Sequence, residues 1–141
     1  MCRLLPRFRQ IASYRVSFKL LTFASAICLS TAILAQGTQS GEQVYNGVCF
    51  SCHATGVQNA PKFGDKAAWS PLLKEGQYVV TAHGWVGQGG MPPRGGKTDL
   101  SLEEFARAVV YMARASGGNW KDPDAAMLDR IRKKKRNTLR N

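Results

Sequence analysis

The chain has 141 residues, and 20 basic against 9 acidic side chains give it a formal net charge of +11. Residues 1–35 carry five basic and no acidic groups, residues 36–120 seven and six, and residues 121–141 eight and three, so the excess sits at the two ends. The middle is nearly neutral and long enough for one small domain, marginal for an apolar core unaided, which excludes a multidomain catalyst.

Residues 1–35 read as an export leader. Arg3, Arg7, Arg9, Arg15 and Lys19 precede an apolar run from Leu20 to Leu34, which ends at the small residue Ala35 before Gln36. The run is short of the about 20 apolar residues that span a bilayer. Cleavage after Ala35 is therefore expected, with an uncleaved membrane anchor as the alternative. Cys28 follows Ala26 and Ile27, a poor setting for lipid attachment. Cys2 and Cys28 leave with the leader, so the mature chain keeps only Cys49 and Cys52 and has no cysteine for a structural disulfide.

Ser40, followed by Gly41, Glu42 and Gln43, has the form of a capping box and opens a helix carrying Val44, Tyr45 and Val48 toward Cys49. Cys49, Phe50, Ser51, Cys52 and His53 then spell CxxCH. Thiols at i and i+3 share one side of a helical turn and can each add to a vinyl group of one haem, while the next residue presents an imidazole to the iron. Two rivals remain open. A zinc knuckle wants four ligands, and the only other histidine is His83. A redox CxxC wants a βαβ context and has no use for the histidine. Haem c is attached outside the cytoplasmic membrane in bacteria, which agrees with the leader.

Asp65 to Trp69 and Ser70 to Glu75 suggest two short helical turns broken by Pro71 and closed by Gly76, and Gln77 to Trp85 suggests another helix. His83 falls on it and is expected to face solvent or bond locally, with haem ligation as the alternative. Gly89, Gly90, Met91, Pro92, Pro93, Arg94, Gly95 and Gly96 follow. Glycines let backbone approach a flat cofactor closely and two prolines stiffen the loop, so the Met91 thioether is the expected sixth ligand. Ser101 and Glu104 form a second capping box, with Leu100 and Phe105 placed to staple it and Phe105, Val109 and Met112 on one stripe. Met112 on that stripe reads as core, and Met127 is a weaker candidate ligand still. In the last stretch, Asp122 as N-cap and Pro123 at the first helical position open a short helix with Met127, Leu128 and Ile131 on a narrow apolar face, before the basic run Arg132 to Arg136.

These separated motifs resemble the class I cytochromes c, and within them the cytochrome c₅ group. The resemblance runs from Ser40 to Met112 and rests on Gly41 with Val44 and Tyr45 before CxxCH, on Ala60 to Asp65 after it, on Trp69, on Met91 to Gly96, and on Ala108, Val109, Tyr111 and Met112. It implies an all-α fold wrapped around one covalent haem c, with the first helix crossing the last near Gly41 and Tyr45 against Ala108 and Tyr111. It also implies that the Pro61 carbonyl accepts the Nδ1 proton of His53, and that Trp69 and Arg94 neighbour the haem propionates. Two departures stand out. The cysteines that often follow the methionine loop in that group are replaced by Lys97 and Leu100, and the segment 121–141 lies outside the pattern.

The expected domain order is thus a leader (1–35), a monohaem domain (36–120) and a basic tail (121–141). The expected function is one-electron transfer at a haem held by Cys49, Cys52, His53 and Met91, with no catalysis. A haem subunit of a larger oxidoreductase and a ligand-binding or peroxidatic haem are the alternatives. Expected partners are redox proteins with an acidic docking face or an anionic membrane surface, and nucleic acid is not expected of a periplasmic chain.

Overall fold

Capping chemistry sets where the helices begin. The computed structural model describes residues 38–140, and the expected leader, 1–35, lies outside them. Ser40 Oγ accepts from the Gln43 N–H at 3.2 Å while Gln43 Oε1 accepts from the Ser40 N–H at 2.8 Å, which starts α1 (Gly41–Val44). The helix continues through a π turn (Tyr45–Cys49) into α2 (Phe50–His53). Nothing in the sequence pattern announces that π turn. It ends on the first thiol, Cys49, and such insertions are frequent at functional sites.

A tight turn (Val57–Asn59) leads to α3 (Lys66–Glu75), capped by Asp65 Oδ1 accepting from Ala67 and Ala68 at 2.9 and 3.0 Å. Here the expectation of two broken turns is corrected: one helix runs through Pro71. A proline inside a helix loses a backbone bond and costs roughly 3 kcal/mol. The burial of Trp69, 2% exposed, and the strong Asp65 cap offset that cost. Gly76 ends α3 at φ +94°, and α4 (Gln77–Val86) starts at once. After the Met91 loop and its short turn (Pro93–Gly96) comes α5 (Leu102–Ala115), which begins at the Ser101–Glu104 box with Leu100 and Phe105 both buried. The described residues contain helices and one isolated bridge between Gln88 and Met91, an all-α fold.

The crossing of α1 and α5 is one of the two most extensive helix pairings. A Cβ on Gly41 would lie 2.7 Å from the Arg107 carbonyl carbon and 3.1 Å from Tyr111 Cβ, so the two backbones approach as closely as glycine allows. Tyr45 stacks on Phe63 at 4.5 Å between ring centres, with Tyr111 5.6 Å away, sealing that end of the core. Phe105, Val109 and Met112 are buried on one face of α5, the stripe expected of them.

Glu104 ties the start of α5 to the start of the fold. Its Oε2 accepts from Ser101 Oγ at 2.6 Å and its Oε1 from the Gln39 N–H at 3.0 Å. The Ser101 hydroxyl first, then the Gln39 amide, hold its carboxyl below the ordinary 4.5. A carboxyl lowered by folding adds stability above its unfolded value, lost as pH falls through the folded one. Glu104→Gln keeps a capping-box shape, as Gln43 does, but it removes the charge and turns one of two accepting oxygens into an amide NH2 that cannot accept from the Gln39 N–H. It is expected to lower stability at pH 7 by about 0.3–1 kcal/mol. In urea titrations the gap from wild type should close as pH falls from 4.5 through the lowered value.

The last helix, α6 (Ala125–Thr138), departs from expectation in two ways. Its N-cap is Asp124, accepting from the Met127 N–H at 2.7 Å, and not Asp122. Asp122 pairs instead with Arg114 at 3.0 Å, while Arg114 and Gln77 bond the carbonyls of Trp120 and Lys121, which holds that segment extended until Asp124. Leu128 and Ile131 are buried against Ala82 of α4 and Ala106 of α5, so the basic segment is packed into the fold.

Candidate haem site

A cavity of about 350 Å³ opens between α2, the 57–61 segment, α4, the Met91 loop and α5. Its walls are mostly apolar, with Trp69, Leu72, Val80, Phe105 and Val109 among them. Cys49, Cys52, His53 and Met91 line the same space although they come from two distant parts of the chain. Cys49 is buried and Cys52 exposed, both as free thiols. Burial first, then the neighbouring Cys52, pushes the Cys49 thiol up to about 11, so it is protonated at neutral pH. Among the described residues no three His, Cys, Asp or Glu side chains cluster as metal ligands, so the zinc reading finds no ligand set.

His53 is 7% exposed and its Nδ1 lies 2.9 Å from the Pro61 carbonyl oxygen. A carbonyl only accepts, so Nδ1 carries the proton and donates, which leaves the lone pair on Nε2. The Phe63 N–H donates to the His53 carbonyl at 2.7 Å, fixing the backbone behind the ring. Pro61 therefore stands where the resemblance put it.

Met91 is held at its backbone by two hydrogen bonds with Gln88, at 3.0 and 3.1 Å. Beyond it the chain turns through left-handed torsions at Arg94, Gly95 and Gly96, with φ of 57°, 66° and 87°. A non-glycine residue in that region is strained. Arg94 is kept there by a hydrogen bond to the Thr98 carbonyl and by lying 4.5 Å over the Trp85 ring. Arg94 does not line the cavity. Trp69 does, but its indole N–H donates to the Lys62 carbonyl at 2.9 Å, so it presents its ring to the space and not a free donor.

Met112 lines the cavity as part of the α5 stripe, and Met127 packs near Leu128, away from it. His83 does not line the cavity, and its Nδ1 lies 3.8 Å from Glu75, beyond hydrogen-bond distance. Leu100, at one of the positions where the resembling group often has a cysteine, is buried in the core, and Lys97 pairs with Asp99 at 3.2 Å. Sequence reasoning missed Gln58. It takes a left-handed φ of 52°, lines the cavity and lies where a Cβ on Gly90 would fall, with its own Cβ 3.1 Å from that point. Only the glycine opposite hints at such a close approach.

Thiols, an oriented imidazole, a thioether and an apolar slot together suit haem c, and the fold and site define a small monohaem cytochrome. The family described as "Cytochrome C oxidase, cbb3-type, subunit III" matches residues 36–112. A cytochrome c-555 of Chlorobaculum tepidum is 36% identical over 104 residues, covering 67% of this chain and 96% of that protein. A cytochrome c5 of Azotobacter vinelandii is 39% identical over 79 residues, covering 55% of this chain and 95% of that protein. A cytochrome c chain from a structure titled "Crystal structure of electron transfer complex of nitrite reductase with cytochrome c" is 46% identical, with a TM-score of 0.52 over 54% of this chain and 93% of that one. The chain belongs to this family of cytochrome c domains, which carry haem c covalently and transfer electrons, and CxxCH at 49–53 is its attachment region.

Proposed function

We propose that the chain is a periplasmic one-electron shuttle whose haem c is attached through Cys49 and Cys52, with His53 and Met91 as axial ligands. The observation that carries this reading is that two donors from different limbs, the end of α2 and the loop after α4, line one apolar cavity together with both thiols. Haem c, when bound, supplies an iron that alternates between ferrous and ferric states.

The chain's own residues do the rest. Pro61 holds the Nδ1 proton of His53, which orients the ring and makes Nε2 a better donor. Met91 offers a neutral, soft sulfur without a proton to lose, a ligand that favours a high potential and occupies the position an external ligand would need. Apolar walls exclude water. Cys49 and Cys52 anchor the group independently of its axial bonds. Export is supported by the leader pattern in residues 1–35.

Near-complete coverage of the small c-555 and c5 relatives favours a free carrier. The description of the matching family favours a second reading, a haem subunit of a larger oxidoreductase, which would co-purify with its complex. The likeness to a cytochrome in a nitrite reductase complex supports a protein redox partner. We assign docking to the exposed basic residues of α6, among which, within the described residues, only Arg132 pairs with a carboxylate, Asp129 at 3.0 Å. The partner face is acidic, with an anionic membrane surface as the other ground. Electron-transfer rates should fall with ionic strength, and Lys133→Glu with Arg136→Glu should lower the low-salt rate by roughly 10-fold and flatten that dependence. Unchanged rates would remove α6 from docking.

The deciding experiment is an optical spectrum of the protein in both oxidation states, repeated under carbon monoxide. Sharp c-type bands, a weak near-infrared sulfur-to-iron band in the ferric form and no response to carbon monoxide support the shuttle. A ready response would make it a ligand-binding or peroxidatic protein, and absence of haem bands would defeat the reading.

A further inference from the structure

Met91 reaches the cavity on a limb whose position α4 sets. Gln88 and Met91 exchange backbone hydrogen bonds two residues past the end of α4. A Cβ on Gly84 would sit 3.6 Å from Met91 Cε, and one on Gly87 would sit 3.0 Å from the Met91 carbonyl oxygen. Backbone and thioether of Met91 thus both lean on the end of α4. Arg94 closes the limb by lying over Trp85, which α4 also carries.

On its other side α4 is held by α6. Ile131 is fully buried and Leu128 nearly so, against Ala82 and Ala106 with Tyr78 and Leu102 around them. Arg130 lies 4.2 Å over the Tyr78 ring, and Lys135 Nζ lies 5.5 Å from the centre of the same Trp85 ring that Arg94 covers. No residue of α6 lines the cavity. One helix outside the site therefore reaches, through α4 and one shared tryptophan, the limb that bears the methionine.

We propose that α6 is a positioning brace for Met91, acting through Ile131 on α4 and through Lys135 on Trp85. It rests on the reading of Met91 as an axial ligand. A limb held by two backbone bonds and one arginine opens locally at far less cost than the whole domain unfolds. Packing on the outer face of α4 raises that local cost, so α6 slows the release of the methionine without touching it.

Cyanide binding to the ferric full-length holoprotein reads that release, because an external ligand enters when the sulfur leaves. Ile131→Ala should bind cyanide roughly 10-fold faster than wild type, the factor that about 1.4 kcal/mol produces. Lys135→Ala should show a smaller acceleration, with Lys135→Arg restoring the slow rate. A chain ending at Pro123 should be fastest. Gly41→Ala, which weakens the fold at the α1–α5 crossing, serves as control: its urea midpoint should fall while its cyanide rate stays near wild type. If the truncated chain does not fold, the two point variants decide. Equal acceleration in Gly41→Ala and Ile131→Ala would show a general stability effect and overturn the brace, as would unchanged rates in both α6 variants. Absence of a sulfur-to-iron band in the wild type would instead remove Met91 as ligand and the brace with it.

Discussion

Met91→Ala is expected to convert a closed site into an open one. The variant should still carry covalent haem c, because Cys49, Cys52 and the His53–Pro61 pair are untouched. Its ferric form should lack the near-infrared sulfur-to-iron band, and its ferrous form should bind carbon monoxide on mixing. Alanine supplies no donor, and Met91's wall of the cavity, against Gly84, becomes free space. Loss of a thioether ligand should also lower the reduction potential by on the order of 0.1–0.3 V, within the ~0.8 V that axial ligands span. Redox titration checks the last point. A variant that keeps the band would transfer the ligand role to another residue, and Met112, already in the cavity wall, is the one to substitute next.

Gly41→Val should produce the largest loss of stability of any single change at the helix crossing. A Cβ there meets the Arg107 backbone at 2.7 Å, and backbone on a packed helix cannot move aside as a flexible side chain can. Overpacking costs about 1–3 kcal/mol and more where the neighbour cannot yield. A domain of this size is stable by about 5–15 kcal/mol in all. Valine also adds two methyl groups beside Tyr111, which would disturb the Tyr45–Phe63–Tyr111 aromatic cluster. Gly47 provides the contrast: a Cβ there meets nothing within 4 Å, and its φ is not left-handed. Gly47→Ala should therefore be neutral or stabilising by up to ~1 kcal/mol. Urea titration of both holoproteins checks the pair, and equal effects would mean that the crossing does not carry the fold.

Local chemistry made much of the fold readable in advance. Both capping boxes, the Asp65 to Gly76 region, the α4 span and the α5 stripe follow from short-range rules of hydrogen bonding and periodicity, which act within a few residues. Two local readings failed for non-local reasons. Pro71 was expected to break α3, but Trp69 buried against the core holds the helix through it. Asp122 was expected to cap α6, but Arg114, from another helix, claims its carboxylate and passes the cap to Asp124. Arg94 lies over Trp85 outside the cavity lining, a contact between segments that no spacing predicts.

The sequence by itself located the attachment motif, since CxxCH needs only one helical turn to present its thiols and imidazole, and it determined where most helices start, since caps are made by neighbours in the chain. Only the tertiary structure decided what those groups face. Convergence of His53 and Met91 on one cavity, the approach of α1 and α5 at Gly41 and the docking of α6 on α4 all depend on contacts between residues far apart in the chain. Such contacts form because burying apolar surface rewards whichever faces fit together, and that fit is a property of the assembled shapes and not of any window of residues.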